Sequence, residues 1–286
     1  MKLSSRAARI LTIVLLLSIF SVKASNEFPI TTNSSFQRRP AIYGDIVVWE
    51  DERNIDDDIY GYSFSINQEF QITTGESYQR DPAIHGDIVV WVDYRNGNQD
   101  IYGYNLLTAE EFRITTNPNT QSEPAIYGDI VVWTDYRNGN KDIYGCDFST
   151  QEEFQITSDE KDQEDPAIYG DIVVWTDYRN GNKDIYGYNL FTKEEFEITT
   201  NKHGQSSPAI YEDIVVWQVL KVDNVDIYGY DLLRKQELSI ATNIRHEWNP
   251  AIYGISISSL KGGDNPSFAA FRAFMKHFSL DVKSLK

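Results

Sequence analysis

Cysteine is almost absent from this sequence: Cys146 is the only one in 286 residues, which excludes an internal disulfide framework and a cysteine-rich metal site. The four histidines include no pair at metal-ligand spacing, so we expect no bound metal and no cofactor. Lysine and arginine number 26 against 43 aspartates and glutamates, for a formal net charge of -17. Such an acidic surface repels phosphate backbones and anionic lipid, which argues against nucleic-acid and membrane-surface binding.

Long apolar runs are also missing, apart from one between Ile10 and Val22. This run is short for a membrane span, which needs about 20 residues. Basic residues precede it and Ala24 ends a small-residue site, so residues 1–24 have the three parts of a secretory signal peptide. We predict cleavage after Ala24, with an uncleaved anchor as the alternative. The remainder has 22 basic and 43 acidic residues, a net charge of -21. We expect a secreted, periplasmic or cell-surface protein that does not insert into a membrane after cleavage.

A repeat of 42 residues dominates the rest of the chain. In the clearest unit, a β-branched run ends at Trp175, and the segments 184–188 and 195–200 alternate between apolar and polar residues. Asn180-Gly181 is a hairpin turn signal between strands. Four short strands in 40 to 45 residues are typical of a β-propeller blade. Each unit begins with Pro-Ala-Ile, at Pro40, Pro82, Pro124, Pro166, Pro208 and Pro250.

The start of the repeat region predicts how the propeller closes. Residues 27–32 (Glu-Phe-Pro-Ile-Thr-Thr) lie one period before residues 69–74 (Glu-Phe-Gln-Ile-Thr-Thr), so the propeller begins with an outer strand that has no blade of its own. In closed propellers such a strand completes the last blade and leaves no open edge. We therefore predict an all-β fold over residues 25–254: a six-bladed propeller of four-stranded antiparallel blades, with the N-terminal strand closing the last blade.

The end of the chain departs from the repeat. Residues 255–286 contain neither the Val-Val-Trp run nor the Asp-Ile-Tyr run. Several apolar residues there follow helical spacing after helix-start residues, which predicts a short C-terminal helix. Either this helix covers the open wall of blade six, or the tail is a truncated or degenerate end that leaves the ring imperfectly closed. The apolar residues are Phe268, Phe271, Phe274, Met275 and Phe278.

Four features recur in the units: the initial Pro-Ala, the apolar run ending in Trp133 or Trp175, Asp135-Tyr-Arg137, and Asp142-Ile-Tyr144. Together they resemble TolB-type propeller repeats, which are related to WD-repeat propellers and are common in exported bacterial and archaeal proteins. The resemblance covers residues 27 to about 254. The usual Trp-Ser-Pro-Asp-Gly turn is here Ile-Tyr-Gly-Asp, and the units are more similar to the near-identical repeats of archaeal cell-surface proteins. The resemblance implies an envelope-associated binding module.

A polar residue recurs in the link between successive blades. In the usual propeller arrangement this link opens on the same face as the loop between the second and third strands. A ring of six amide or carboxylate groups near the axis would bond a glycan or a peptide. Alternatively, each glutamine bonds backbone of the adjoining blade, which would also produce strict repetition. The residues are Gln37, Gln79, Gln121, Gln163, Gln205 and Glu247.

The loop Asp-x-Arg-Asn-Gly-Asn-x-Asp is intact at residues 93–100, 135–142 and 177–184. It resembles a calcium loop, but its arginine occupies the second ligand position and would repel a cation. We therefore predict an Asp–Arg pair that braces the hairpin, and no metal. In the fifth unit Val219 and Lys221 replace the aspartate and the arginine. The candidate binding residues in these loops are Arg95, Arg137, Arg179, Asn138 and Asn180.

Other repeated or isolated residues have weaker functional interpretations. An aromatic residue ends the first, innermost strand of each unit, where it either packs in the core or stacks on a ligand. The tryptophan series is predicted to be core between blades. Asn33 begins one N-glycosylation sequon. The innermost aromatic residues are Tyr43, His85, Tyr127, Tyr169, Tyr211 and Tyr253.

The sequence shows no nucleophile elbow and no catalytic constellation. Its acids recur blade after blade, whereas acid–base catalysis needs carboxyls in unlike environments. We therefore predict a non-enzymatic, extracytoplasmic propeller that binds a cell-envelope protein or glycan through the face that carries the glutamine ring and the loops. The alternatives are a glycan-cleaving or peptidase-accessory enzyme and a purely structural surface-layer component. Unlike residues clustered at one channel mouth would favour the enzyme, and a uniform, fully bonded ring would favour the structural component.

Overall fold

The computed structural model describes residues 28–241, 247–253 and 256–261, which form β-strands and the turns between them. No stretch of these residues forms a helix that could cross a membrane. The signal peptide predicted at residues 1–24 and the helix predicted between Phe268 and Phe278 lie outside the described residues.

The strands form five four-stranded antiparallel sheets, each with its strands in chain order. We number these sheets as blades 1 to 5. The inner strands of successive blades contact one another, as in a propeller. The strands are β1 (Gln37–Tyr43), β2 (Ile46–Asn54), β3 (Asp56–Ser63) and β4 (Gln68–Gln71) in blade 1; β5 (Gln79–His85), β6 (Ile88–Asp93), β7 (Asp100–Asn105) and β8 (Glu110–Arg113) in blade 2; β9 (Gln121–Tyr127), β10 (Ile130–Asp135), β11 (Asp142–Asp147) and β12 (Glu152–Gln155) in blade 3; β13 (Gln163–Tyr169), β14 (Ile172–Asp177), β15 (Asp184–Asn189) and β16 (Glu194–Glu197) in blade 4; and β17 (Gly204–Tyr211), β18 (Ile214–Leu220), β19 (Val225–Asp231) and β20 (Gln236–Ala241) in blade 5.

The blade architecture is confirmed, but the predicted number of six blades is wrong for the described residues, which contain five. After blade 5, β21 (Glu247–Tyr253) and β22 (Ser256–Lys261) form only a two-stranded antiparallel sheet. The sequence gives the reason. Beyond Gly254 it has no Val-Val-Trp run to fill a blade interface and no Asp-Ile-Tyr run to form a third strand.

The strand predicted at residues 27–32 is not formed in the described part of that segment. Instead, Ile30 is buried with Val47 and Trp49 against blade 1, and the ring of Phe28 packs edge-on against Phe64 at 6.2 Å. Pro29 has no N–H to donate to a ladder, which disfavours strand pairing here. The segment therefore covers the wall of blade 1 by side-chain packing and does not join one of the described sheets.

The core lies between the blades. In blade 2, Trp91 is fully buried in one cluster with Val48 and Ile59 of blade 1. Both faces of each central blade are covered by neighbours, so the second strand is an unbroken apolar run. Each large apolar side chain buried in this way contributes about 1.5–3 kcal/mol. The prediction that the tryptophans form the core between blades is confirmed for Trp49, Trp91, Trp133, Trp175 and Trp217, which are at most 3% exposed.

Candidate functional site

The second-to-third-strand loop of each of blades 2 to 4 contacts the link into the next blade. Asn98 Nδ2 donates to the carbonyl oxygens of Asn117 (3.3 Å) and Asn119 (3.0 Å). In blade 4, Asn182 Nδ2 donates to the carbonyl oxygen of Asn201 at 2.9 Å. Loops and links therefore form one face of the molecule, which we call the link face.

The glutamine ring lies below this face and is turned inward. The side chains of Gln79, Gln121, Gln163 and Gln205 are completely buried. Gln121 Nε2 donates to the carbonyl oxygen of Asn119 at 2.5 Å, and Gln79 and Gln163 make the same bond to the residue two positions before them. The side-chain oxygens of these three glutamines have no hydrogen-bond partner. The glutamines therefore tie the link to the inner strand and are not accessible to a ligand.

The two ends of the ring differ from the rest. Gln37 is half-buried, and its Nε2 donates to the carbonyl oxygen of Ser35 at 2.5 Å. Gln205 accepts a bond from Thr199 Oγ1 at 2.7 Å and donates to the carbonyl oxygen of Asn201 at 3.2 Å. Glu247 begins β21, and its side chain lies outside the described atoms.

The loop arginines are held inside their own blades. In blade 3, Asp135 accepts bonds from Trp133 Nε1 (2.9 Å) and from Arg137 Nε (2.9 Å) and Nη2 (2.6 Å). Arg137 also pairs with Glu153 and lies 4.1 Å above the ring of Tyr144. We call this five-residue arrangement the arginine plug. It confirms the prediction that an Asp–Arg pair braces the hairpin.

The plug recurs in three other blades with the same partners. Its members are Trp49, Asp51, Arg53, Tyr60 and Glu69 in blade 1; Trp91, Asp93, Arg95, Tyr102 and Glu111 in blade 2; and Trp175, Asp177, Arg179, Tyr186 and Glu195 in blade 4.

The loop asparagines also have internal partners. Asn138 Nδ2 donates to Asp142 Oδ2 at 2.7 Å and to the hydroxyl of Tyr144 at 2.9 Å. Asn180 makes the same two bonds in blade 4. The loop residues chosen from the sequence as binding residues therefore support the hairpins in the structure.

A different set of side chains meets at the mouth of the channel. The residue before each Pro-Ala-Ile sits in a β-bulge with φ between 46° and 56°, a conformation that costs a non-glycine residue about 1–2 kcal/mol. This residue differs between blades, as does the residue before it, whereas the Pro-Ala-Ile that follows is constant. We call the set the mouth ring: Arg39, Asp81, Glu123, Asp165, Ser207 and Asn249.

Blades 1 and 2 give the mouth ring a side on which opposite charges are paired. Arg39 Nη1 lies 2.9 Å from Glu50 Oε1 and 3.0 Å from Asp81 Oδ1. Glu50 is only 1% exposed and also accepts a bond from the backbone N–H of Asp81 at 2.6 Å. Next to this network, Arg80 Nε donates to the buried Asp57 at 2.6 Å. Opposite charges on adjacent blades therefore interlock at this side of the mouth.

Blades 3 and 4 give the mouth ring an acidic side. Glu123 Oε2 accepts bonds from Thr134 Oγ1 (2.7 Å) and from the backbone N–H of Asp165 (2.9 Å). Burial and the neighbouring carboxylates of Glu123 and Glu164 raise the pKa of Asp165 to about 7. Burial also raises the pKa of Asp81 to about 6, against the opposing effect of Arg39. Two carboxyls of the ring therefore titrate close to neutral pH.

Replacing Asp165 with asparagine is expected to stabilise the protein at pH 8 but not at pH 4. Because the pKa of Asp165 is raised in the folded state, its contribution is fully present below its ordinary pKa of 3.8 and is lost as pH rises through about 7. We expect the thermal midpoint of the variant at pH 8 to be about 2–8 °C higher, corresponding to about 1–2 kcal/mol. Equal shifts at both pH values, measured by circular dichroism, would contradict this explanation. The exposed-turn variant Asp87→Asn is the control.

The opposite end of the inner strands carries a ring of aromatic side chains that contact one another at tilted angles. The ring centroids of Tyr43 and His85 are 4.4 Å apart, and those of His85 and Tyr127 are 4.5 Å apart. The series continues through Tyr169 to Tyr211 at 4.6 and 4.8 Å. Burial lowers the pKa of His85, whose Nδ1 accepts the N–H of Gly128 at 3.0 Å. These rings pack on one another around the channel.

The mouth ring is a candidate site that the sequence interpretation missed. Its signal is visible in the sequence, because Pro-Ala-Ile is constant whereas the residue before it changes from arginine to acid to serine. The variation alone does not indicate a site, because the sequence shows neither the bulge nor the side chains of the neighbouring blade that this residue contacts. Within the described ranges, no group of three or more histidine, cysteine, aspartate or glutamate side chains has the geometry of a metal site.

The sequence matches no protein-family model and no curated protein. Its fold is similar to solved propellers. A protein assigned as TolB from Agrobacterium tumefaciens is 17% identical, with a TM-score of 0.60 over 77% of this chain and 88% of that one. Oligogalacturonate lyase from Vibrio parahaemolyticus is 12% identical, with a TM-score of 0.59 over 81% of this chain and 78% of that one. A prolyl endopeptidase is 10% identical, with a TM-score of 0.62 over 79% of this chain and 39% of that one. The chain therefore has a TolB-like propeller fold, shared by proteins with different activities.

Proposed function

We propose that this protein is a non-enzymatic, extracytoplasmic binding propeller whose mouth ring receives a charged segment of a cell-envelope protein. One observation carries the proposal: the residue before Pro-Ala-Ile varies between blades at the channel mouth, and there Arg39 Nη1 lies 3.0 Å from Asp81 Oδ1 of the next blade, so oppositely charged side chains lie together in one opening. A ring that only held the blades together would repeat, as the buried glutamines do. The export signal predicted at residues 1–24 supports an extracytoplasmic location.

A protein ligand fits the mouth better than a glycan does. Arginine and carboxylate side chains occupy adjacent positions around the ring, so both signs of charge are presented within one opening. A polypeptide segment carries positively and negatively charged side chains, and its backbone adds hydrogen-bond donors and acceptors. Complementary charges of this kind give specificity and register more than affinity.

The test compares two double variants in capture from a cell-envelope extract. Asp81→Asn with Asp165→Asn alters the mouth, and Asp87→Asn with Asp171→Asn removes the same charge from turns at the aromatic end. We expect a specific protein to be retained by the wild type and by the turn variant, and to be reduced about tenfold by the mouth variant, or about 1.4 kcal/mol. Circular dichroism establishes that all three proteins fold. Equal retention by both variants, or no retained protein, would reject the proposal.

A second candidate is a glycan-cleaving enzyme, which is also favoured by the unlike residues at one channel mouth. Its supporting observation is Asp165, whose pKa is raised to about 7 by burial and by the neighbouring carboxylates of Glu123 and Glu164. A carboxyl that stays protonated near neutral pH is what a general acid requires. An assay with oligogalacturonate, the substrate named for one propeller of similar fold, tests this candidate directly. Cleavage by the wild type that is lost in Asp165→Asn would support it, and no cleavage would leave the binding proposal in place.

A further inference from the structure

Blade 5 lacks the arginine plug that blades 1 to 4 share. Val219 and Lys221 stand one period after Asp177 and Arg179. At this junction with blade 4 a pocket of about 330 Å³ opens. Its lining includes Trp217, Val219, Lys221, Tyr228 and Glu237.

Two of the groups that hold the guanidinium in blade 4 are still present in blade 5. Arg179 lies with its Cζ 4.3 Å from the ring centroid of Tyr186 and pairs with Glu195. The residues one period later are Tyr228 and Glu237, and both line the pocket. The aromatic face and the outer carboxylate of a guanidinium site are therefore retained, whereas the arginine is gone.

Lys221 does not take the place of that arginine. Its Nζ bonds Asp226 Oδ2 and lies 3.4 Å from the hydroxyl of Tyr228. Those are the two bonds that Asn180 makes in blade 4, to Asp184 and to the hydroxyl of Tyr186. The lysine ammonium is 5.3 Å from the ring centroid of Tyr228, near the hydroxyl edge. It lines the pocket but replaces the asparagine amide and not the guanidinium, since it pairs with Asp226 and not with Glu237.

The replacement of aspartate by valine adds a second requirement for a ligand of this pocket. In blade 4 the indole N–H of Trp175 donates to Asp177 Oδ2 at 2.9 Å. Trp217 lines the pocket, but Val219 cannot accept its N–H. A ligand that complements this pocket therefore brings a planar cation for Tyr228 and Glu237 together with a hydrogen-bond acceptor for Trp217. An arginine residue in a polypeptide has both, in its guanidinium and its backbone carbonyl.

We propose that this pocket receives an arginine side chain of a polypeptide partner. In blade 5 the partner's arginine then takes the position that the chain's own arginine occupies in the plugs of blades 1 to 4. The guanidinium stacks on Tyr228 and pairs with Glu237. The strongly acidic chain, with a net charge of -17, favours a basic partner. This inference goes beyond the proposed function, because the pocket lies beside the link between blades 4 and 5 and involves none of the mouth-ring residues.

The experiment titrates the protein with the acetylated, amidated peptide Gly-Gly-Arg-Gly-Gly and follows tryptophan fluorescence and ligand-observed NMR. The same peptide with lysine or with citrulline in place of arginine is the ligand control. We expect the arginine peptide to bind about fivefold or more tightly than the lysine peptide, because only guanidinium is planar and bidentate. The citrulline peptide, which has the shape without the charge, is expected to bind at least about tenfold more weakly.

Three variants locate the binding. Glu237→Gln is expected to weaken the arginine peptide about tenfold, whereas the matched Glu195→Gln in blade 4 leaves it unchanged because Arg179 already fills that site. Val219→Asp with Lys221→Arg rebuilds the internal plug and is expected to abolish binding. If this double variant does not fold, Glu237→Gln alone tests where the peptide binds.

Equal binding of arginine and citrulline peptides, or no effect of Glu237→Gln, overturns the proposal. The mouth variant Asp81→Asn with Asp165→Asn retains peptide binding, so failure at either site is distinguishable.

Discussion

Replacing Asp135 with alanine is expected to lower the free energy of unfolding by about 3–5 kcal/mol and the thermal midpoint by about 6–20 °C. The carboxylate is fully buried and accepts bonds from the indole of Trp133 and from the backbone and guanidinium of Arg137. Its removal leaves a partly buried cation and a buried indole N–H without their acceptor. The loss is large because removing one partner of a buried ion pair leaves the other uncompensated.

Two further variants define the origin of this loss. Asp129→Ala, in an exposed turn of the same blade, is expected to change stability by less than about 0.5 kcal/mol. The double variant Asp135→Val with Arg137→Lys copies blade 5 and is expected to cost less than Asp135→Ala alone, because no unpaired guanidinium remains. Unfolding by heat or urea measures all three. A loss for Asp135→Ala no larger than that of Asp129→Ala would mean that the plug does not stabilise the blade.

The plug also affects how binding is tested. Charge reversal at Arg95, Arg137 and Arg179 would place glutamates beside buried aspartates in three blades. Such a variant would lose stability before it lost a ligand. Variants at Asp81 and Asp165 of the mouth ring and at Glu237 alter half-buried or pocket-lining groups outside the plug, so they separate binding from loss of the hairpin brace.

Replacing Gln121 with glutamate is expected to destabilise the protein by about 3–5 kcal/mol at pH 8 and by much less at pH 5. The side chain is completely buried, and its nitrogen donates to the carbonyl oxygen of Asn119 at 2.5 Å. A protonated glutamic acid has the same shape and donates to the same carbonyl. An ionised carboxylate cannot donate and is buried without a cation, so the pKa of the new group is raised and stability is lost as pH rises through it.

The matched control is Gln121→Met, which keeps the volume and removes all polar atoms. It loses one hydrogen bond but also removes a buried oxygen that has no partner, so we expect a cost of about 1 kcal/mol that does not depend on pH. Thermal unfolding of both variants at pH 5 and pH 8 provides the measurement. If the glutamate variant is equally unstable at both pH values, its carboxylate is solvated and the glutamine ring is more open than the structure shows.

The sequence predicts the blade well because a blade is built from local contacts. Short turns join consecutive antiparallel strands, and the Asn-Gly signal at Asn180 corresponds to a turn in which Gly181 has a φ of 87°. Trp175 is constant across the repeat because each interface between blades needs the same volume filled. The Asp–Arg brace is equally local, since Asp135 and Arg137 are two residues apart.

The proposed binding residues could not be identified from repetition, because the residues that repeat are those that every blade needs for its own stability. Gln121 repeats since each link must be tied to its inner strand, and Arg137 repeats since each hairpin must be braced. The mouth ring and the pocket beside Val219 lie where the repeat varies. Whether a varying residue faces a ligand or solvent depends on the adjacent blade, which is 42 residues away in sequence.

The sequence alone thus determined the four-stranded blade, the interfaces between blades and the hairpin braces, because these depend on residues close together in the chain and on a pattern repeated five times. Only the tertiary structure decided that five blades are complete in the described residues, that the glutamines are buried and that unlike charges converge at the mouth. The physical reason is that burial, charge pairing and completion of a blade are set by contacts between distant segments. Arg39, for example, acquires its role from Asp81 of the next blade.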